Sequence, residues 1–471
     1  MKKKKTAVSA AQGKRTLVLL IIILLIALFA FGAVQLFNVV DVRYPWLWMY
    51  LADQLKPNPT HDVHGTKHVM FAFADHFEPH NQETVERWMK SYPLMAEKHR
   101  DSDGKMPQHS FFWYFSQSDV PEKKSFLNQI SKLAYEGYGE IELHMHHGND
   151  TEESFRKLMV EAIHLSQEAG GMITWEAKPE TAFGFIHGMW SLDNSRGNGM
   201  CGVNNELIAL RELGCYADFT HPSWGPMHPR VVNRIYYAID DPVRPHSDAM
   251  GTEMEVGKPG LGDLLLFEGA SAVRFRGIRP VYDHGEVAEN ELPTPERVDC
   301  WVRAGVHIKG RPEWIFIKVF AHGAISGDHD AVLGKWSDKM YSYLEQKYND
   351  GTNYVLHYVN AREAYNIAKA AEAGKAGNPN DFRDFLIAPY VNRFLWASAP
   401  YETISAGGHV AVIKFPKEVP NRIDLRLKGK HVTVSGNAKV VSLVEREDET
   451  LITLALEKER IVGLDLGGNA S

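Results

Sequence analysis

Cysteine is scarce: Cys201, Cys215 and Cys300 are the only three in 471 residues. An odd count at these spacings allows at most one disulfide and no zinc-finger pattern, which excludes a disulfide scaffold and a Cys-ligated metal module. Cys201 and Cys215 could pair in an oxidising compartment; buried free thiols are the other reading. Basic runs are missing beyond the N-terminal tail, and the formal net charge is −7. Nucleic acid is therefore not an expected partner. Internal repeats are also lacking, so a solenoid or propeller is excluded. Apolar material is plentiful: 44% of the residues are hydrophobic, enough for substantial cores, and the chain is too long for one ordinary domain.

The longest uncharged run lies near the start. Lys2 to Lys5, Lys14 and Arg15 precede Thr16 to Val40, whose centre is Leu17 to Phe37. That run exceeds the roughly 20 residues needed to cross a bilayer. It is too long for a signal-peptide core, and Gln35-Leu36-Phe37 is a poor cleavage site. The expectation is a retained signal-anchor, a transmembrane helix over 16–40, in the cytoplasmic (inner) membrane. The basic tail 1–15 would stay in the cytoplasm and everything after residue 42 would be periplasmic or extracellular. The aromatic and proline-rich residues 41–67 read as an interfacial belt and linker.

From His68 onward, strand-like and helical patterns alternate. Strands are expected at Val69 to Ala74, Ser110 to Phe115, Glu140 to His146, Ala182 to His187, Cys215 to Phe219, Gly305 to Lys309, Trp314 to Phe320 and Tyr354 to His357. Helices are expected at Glu83 to His99, Pro121 to Glu136, Thr151 to Ala169, Asn204 to Leu213, Ala331 to Tyr348 and Ala361 to Ala373. Such alternation implies an α/β fold with a parallel sheet, and its length favours a (β/α) barrel, seven-stranded or distorted, over residues 68–375. Residues 222–300 read as an irregular insertion. Short alternating runs over 385–471 read as a small antiparallel β domain.

The chemistry gathers at strand ends. In Glu140-Ile141-Glu142-Leu143-His144-Met145-His146-His147-Gly148-Asn149-Asp150, side chains two apart share a face, so Glu142, His144 and His146 point together. Clustered imidazoles with carboxylates nearby suit a borderline divalent metal, zinc being the expected ion. His147 and Asp150 are further candidate ligands; alternatively Asp150 caps the following helix with Glu153. The first strand ends Asp75-His76-Phe77-Glu78, with Asp75 the natural carboxylate ligand and His76 and Glu78 candidate bases. A third cluster holds His187, Trp190 and Asp193, where Trp190 suits sugar stacking. Asp218 and His221 end another strand. Phe320-Ala321-His322-Gly323 delivers a histidine suited to general acid work.

In this order, the strand ends over roughly residues 68–373 resemble the polysaccharide deacetylase (NodB-homology) group of the glycoside hydrolase/deacetylase barrel superfamily. Members open with a strand ending Phe-Thr-Phe-Asp-Asp-Gly, the first Asp being the base and the second a metal ligand. Against that motif Asp75 takes the metal position and Ala74 the base position. The family's second motif, His-Ser/Thr-x-x-His, falls on His146 and Asp150 with His147 in the small-residue place, and its closing Leu-x-His on Phe320-Ala321-His322. Its Arg-Pro-Pro-Tyr segment corresponds to Phe185 to Trp190, without the Arg. The similarity is to a divergent branch, like deacetylase-like proteins associated with exopolysaccharide assembly. With Ala74 at the base position, His76, Glu78 or Asp218 would substitute.

The resemblance implies a metal-dependent hydrolase that removes acetyl groups from a polysaccharide. The resemblance points to Asp75 and His146 as metal ligands, the shared strand face adds His144, and His147 or Asp150 are possible extra ligands. His322 would act as the acid, and His187, Trp190, Asp193 and His221 would line the substrate. Export machinery is the implied protein partner. The rival readings are a glycoside hydrolase using Asp75 and Asp218, and an inactive polysaccharide-binding subunit.

Overall fold

A computed structural model of the chain describes residues 37–116, 121–168, 173–174, 181–197, 202–223, 225–387, 394–399 and most of 401–465, with isolated positions between 23 and 35. Most of the expected span at 16–40 lies outside these residues. Among those described, no helix is long and apolar enough to cross a membrane. Residues 37–43 are helical, and after them comes α1 (Leu47–Gln54), of eight residues. The single-pass, inner-membrane reading is therefore not retained. An aromatic of the 41–67 segment packs on protein: Trp46 is buried and stacks on Tyr282 at 3.9 Å between ring centroids. Arg230 pairs with Asp41 and Arg234 with Asp53, which docks this segment on the 222–300 insertion.

One large, mostly parallel sheet organises residues 67–359. Its strands are β1 (Lys67–Phe77), β2 (His109–Ser116), β3 (Gly139–His146), β4 (Ile173–Thr174), β5 (Thr181–His187), β6 (Cys215–Asp218), β7 (Ile235–Ala238), β8 (Thr252–Glu253) and β9 (Leu264–Phe267). After the hairpin β10 (Ala272–Arg276)–β11 (Arg279–Asp283) come β12 (Trp314–Ala321) and β13 (Tyr354–Val359). The order is β12-β1-β2-β3-β5-β6-β9-β7-β8, with β13 also on β1 and β4 on β5. β1 shares one edge between two neighbours, β13 along Lys67–Ala72 and β2 along Phe73–Phe77.

The expected barrel is not formed: the sheet is open. β9 pairs with β6 only at Asp218–Leu266, and its other edge is taken by antiparallel β7. That edge is the one a closing β12 would need. In place of a ladder, the Lys318 ammonium of β12 donates to the Phe219 carbonyl at 2.7 Å and to that of His221. No strand forms at Gly305 to Lys309, where only isolated bridges occur. The expected helix from Ala331 is split, with one turn at His329–Val332 and a second helix at Lys335–Lys347, divided at Gly334.

Strand parity divides the core. Val69, Phe71, Phe73 and Phe77 of β1 and Ile141, Leu143 and Met145 of β3 face the helix layer, where α2 (Gln82–Ala96) contributes Trp88 and Tyr92. The other parity makes an inner face: Met70, Ala72 and Ala74 of β1, Phe112, Ile186, Tyr216, and Trp314 and Phe316 of β12. A C-terminal helix of this unit, Ala361–Glu372, plugs that face with Ile367, Ala368 and Ala371. It starts at a capping box between Asn360 and Glu363. Burial on both faces explains why β1 and β12 are nearly continuous apolar runs. Beyond residue 394, two four-stranded antiparallel sheets enclose their own core of Ile413, Ile423, Leu425, Ile452, Leu454 and Val462.

Candidate metal centre

Continuing each inner parity to the C-terminal strand ends brings the polar groups to one place. After Ala74 come His76 and Glu78; after Glu142 come His144 and His146; after Phe320 comes His322. Two groups of three converge there, His76–Glu78–His322 and Glu78–His144–His146. Glu78 belongs to both. The His144 Nε2 lies 3.0 Å from a Glu78 oxygen and 3.1 Å from His146 Nε2, and His146 Nε2 is 3.6 Å from the same oxygen. His144 Nδ1 donates to the Ile186 carbonyl at 2.9 Å. A carbonyl only accepts, so Nδ1 carries a proton and Nε2 is the atom that faces the cluster. The His76 and His322 rings are 4.7 Å apart, and Trp190 stands 5.9 and 5.7 Å from them.

The electrostatics suit a cation. Burial, then the nearby His322 and His144, push the His76 ring well below its ordinary value, which keeps it neutral. Burial works against the Glu78 carboxylate, but hydrogen bonds to His144 and His146 hold it well below the usual carboxylate range. A neutral His76 beside an ionised Glu78 is the combination of protonation states that metal binding requires. The residues present thus fit a divalent ion.

Asp75 is elsewhere. Its odd parity turns it to the helix layer, where it accepts from Gly323 N at 2.7 Å and pairs with His109 Nε2 at 2.9 Å. Gly323 is needed for this approach, since a Cβ there would sit 2.2 Å from Asp75 Oδ2. His147 also leaves the cluster. Its Nδ1 meets Asp150 at 2.7 Å, and its Nε2 faces His187 and Glu206 on the far side of β3. At the start of the following helix Asp150 accepts from the Ser154 hydroxyl at 3.2 Å, and the Thr151 hydroxyl accepts from Ser154 N. Asp218 is bound by the Thr220 amide and hydroxyl, and burial raises its carboxyl. Asp193 accepts from Ser247 N, and burial pushes it up to about 9. His221 pairs with Asp248 at 2.9 Å. Of the four expected substrate contacts, Trp190 is the one set against the rings.

Comparison with family models, curated proteins and solved structures gave no match. Function must be argued from the site.

Sequence reasoning missed Glu286 and Glu206. Glu286 lies 3.8 Å from His322 Nδ1 and 3.2 Å from His284. The run Asp283-His284-Gly285-Glu286 is a strand-end polar cluster like the others, hidden because 222–300 lacks regular periodicity. Glu206 opens a short helix, where an acidic residue ordinarily signals only the helix dipole. Gly188 has a steric role: a Cβ there would lie 2.5 Å from the His146 ring and 2.7 Å from the Met145 carbonyl. The Gly188→Ala variant is expected to displace His146 and weaken divalent-metal affinity about 10–100-fold, the cost of disturbing a ligand's support. Competition with a chromophoric chelator measures this; unchanged affinity would remove His146 from the ligand set.

Proposed function

We propose that this chain is a zinc-dependent hydrolase that removes acyl groups from a polysaccharide. The observation that carries the reading is the convergence of Glu78, His144 and His146 with His76 and His322 at the C-terminal ends of parallel strands, where α/β sheets place their ligand sites. Two imidazoles and a carboxylate are a zinc-class donor set. A bound ion would supply Lewis acidity and a water of lowered pKa. The protein's own groups do the rest. Glu78, His144 and His146 hold the ion, His144 fixed in its tautomer by the Ile186 carbonyl. His322, with Glu286 behind Nδ1, passes a proton to the leaving amine or alkoxide. Trp190 offers an aromatic wall to a sugar ring beside them.

The likeness of the strand-end motifs to the polysaccharide deacetylases supports the acyl-polymer substrate. The glycosidase alternative loses its carboxylate pair, because Asp75 is bound by His109 and Gly323 and Asp218 by Thr220. The test is incubation of the zinc-loaded chain with acetylated oligosaccharides. Acetate release that a chelator abolishes and zinc restores is the expected result. New reducing ends without acetate would replace the reading with glycoside hydrolysis, and neither product would leave a binding protein.

A further inference from the structure

Behind β3, on the opposite face from the Glu78 cluster, three more ligand atoms converge. His147 Nε2 lies 2.9 Å from His187 Nε2 and 3.2 Å from Glu206 Oε1, and His187 Nε2 is 3.0 Å from that oxygen. All three side chains have zero exposure. Each is also held from behind. His147 Nδ1 meets Asp150 at 2.7 Å, His187 Nδ1 meets the Gly188 carbonyl at 2.6 Å, and Glu206 Oε2 accepts from Asp193 N at 2.6 Å. The carbonyl can only accept, so His187 carries its proton on Nδ1, and the Asp150 carboxylate sets the same tautomer for His147. Both Nε2 atoms then point at one carboxylate oxygen and at each other. Three ligand atoms thus face one another without exposure, and either a proton on His147 Nε2 or a cation among them satisfies the set. Ligands whose second atom is fixed by a hydrogen bond are the mark of a metal site.

We propose that His147, His187 and Glu206 form a second, closed divalent-metal site of zinc class, with a structural role. It is independent of the hydrolase reading. No substrate reaches a pocket without exposure, so the ion would tie together the ends of β3 and β5 and the start of the helix Glu206–Glu212. These anchors bracket the loop 188–194, in which Met189, Trp190, Asp193 and Asn194 adopt left-handed backbone that non-glycine residues seldom hold. Fixing both ends of that loop would hold Trp190 against His76 and His322.

The experiment starts from the full chain carrying His144→Ala and His322→Ala, which takes one side chain from each group of three around Glu78. After zinc loading and dialysis against a chelator, about one zinc per chain is expected to remain. Adding Glu206→Gln should release it. Should that variant fail to fold, X-ray absorption on the zinc retained by the folded double variant decides, with nitrogen and oxygen donors including imidazole expected. No retained zinc would mean that the trio holds only a proton, and the proposal falls whether or not the unsubstituted chain releases acetate. Retention unaffected by Glu206→Gln, or a sulfur-ligated ion, would overturn it equally.

Discussion

The His144→Ala variant is expected to lose its active-site metal and its hydrolytic activity together. His144 is fully buried, its Nδ1 is spent on the Ile186 carbonyl, and its Nε2 is the atom nearest both Glu78 and His146. Removing a ligand should cost more than the roughly 10–100-fold that follows loss of a ligand's hydrogen-bond partner. Glu78→Gln should be at least as severe, because Glu78 serves both groups of three. His322→Ala is the contrast: it should keep the metal and lose about 10²–10⁴-fold in rate, the scale of a positioned acid. Asp75→Asn is the discriminating control. The family resemblance makes Asp75 a ligand, whereas its bonds to His109 and Gly323 make it a structural carboxylate. Asp75→Asn should therefore retain the metal while lowering stability. Metal analysis beside turnover reads all four, and an Asp75→Asn chain that folds but holds no metal would return Asp75 to the ligand set.

Asp75 illustrates what was legible and what was not. The period-two pattern of a strand correctly put Glu142, His144 and His146 on one face, since alternation is a property of the backbone. The same rule applied to Phe73-Ala74-Asp75-His76 separates Asp75 from His76 and sets His76 and Glu78 beside the histidines of β3. Motif alignment ran against that parity, and the geometry followed the parity. Open-sheet topology was harder to see. The strands that keep β12 from closing on β9 are the short Ile235–Ala238 and Leu264–Phe267, inside a stretch whose Pro, Gly and Asp content masks periodicity. Long-range partners were illegible for a different reason. Nothing local tells that Trp46 stacks on Tyr282, or that Glu206 meets His147 and His187. Cys215 and Cys300 are free and buried, as the free-thiol reading expects, and Cys201 lies outside the described residues.

The largest loss of stability is expected from Arg362→Met. Arg362 sits in the first turn of the helix that plugs the inner face and is almost fully buried. Its guanidinium donates from Nε and Nη2 to Glu140 at 2.9–3.0 Å, and from Nη1 to Asp384 and to the Ile387 and Arg383 carbonyls. Met matches the stem but strands the Glu140 carboxylate and those carbonyls, a cost of about 3–5 kcal/mol for breaking a buried pair from one side. Glu140→Gln should cost less, since it can still accept from Arg362. Replacing both residues with methionine should recover much of the deficit, as filling a buried pair's space with apolar groups does. The pH dependence carries a sign. Burial already raises the Glu140 carboxyl against the pull of Arg362. Without the arginine the folded state would favour the protonated acid more strongly. A raised folded pKa adds stability that is complete below the unfolded value and fades as pH rises through the folded one. The deficit of Arg362→Met should thus shrink at mildly acidic pH and widen above neutrality, read from denaturant midpoints across that range. Because Glu140 shares its face of β3 with His144 and His146, the same variant should also loosen the Glu78 cluster, so metal affinity should fall with stability at high pH and recover with it at low stress in the double methionine variant. A pH-independent deficit would show that Arg362 acts through its carbonyl contacts and not through Glu140.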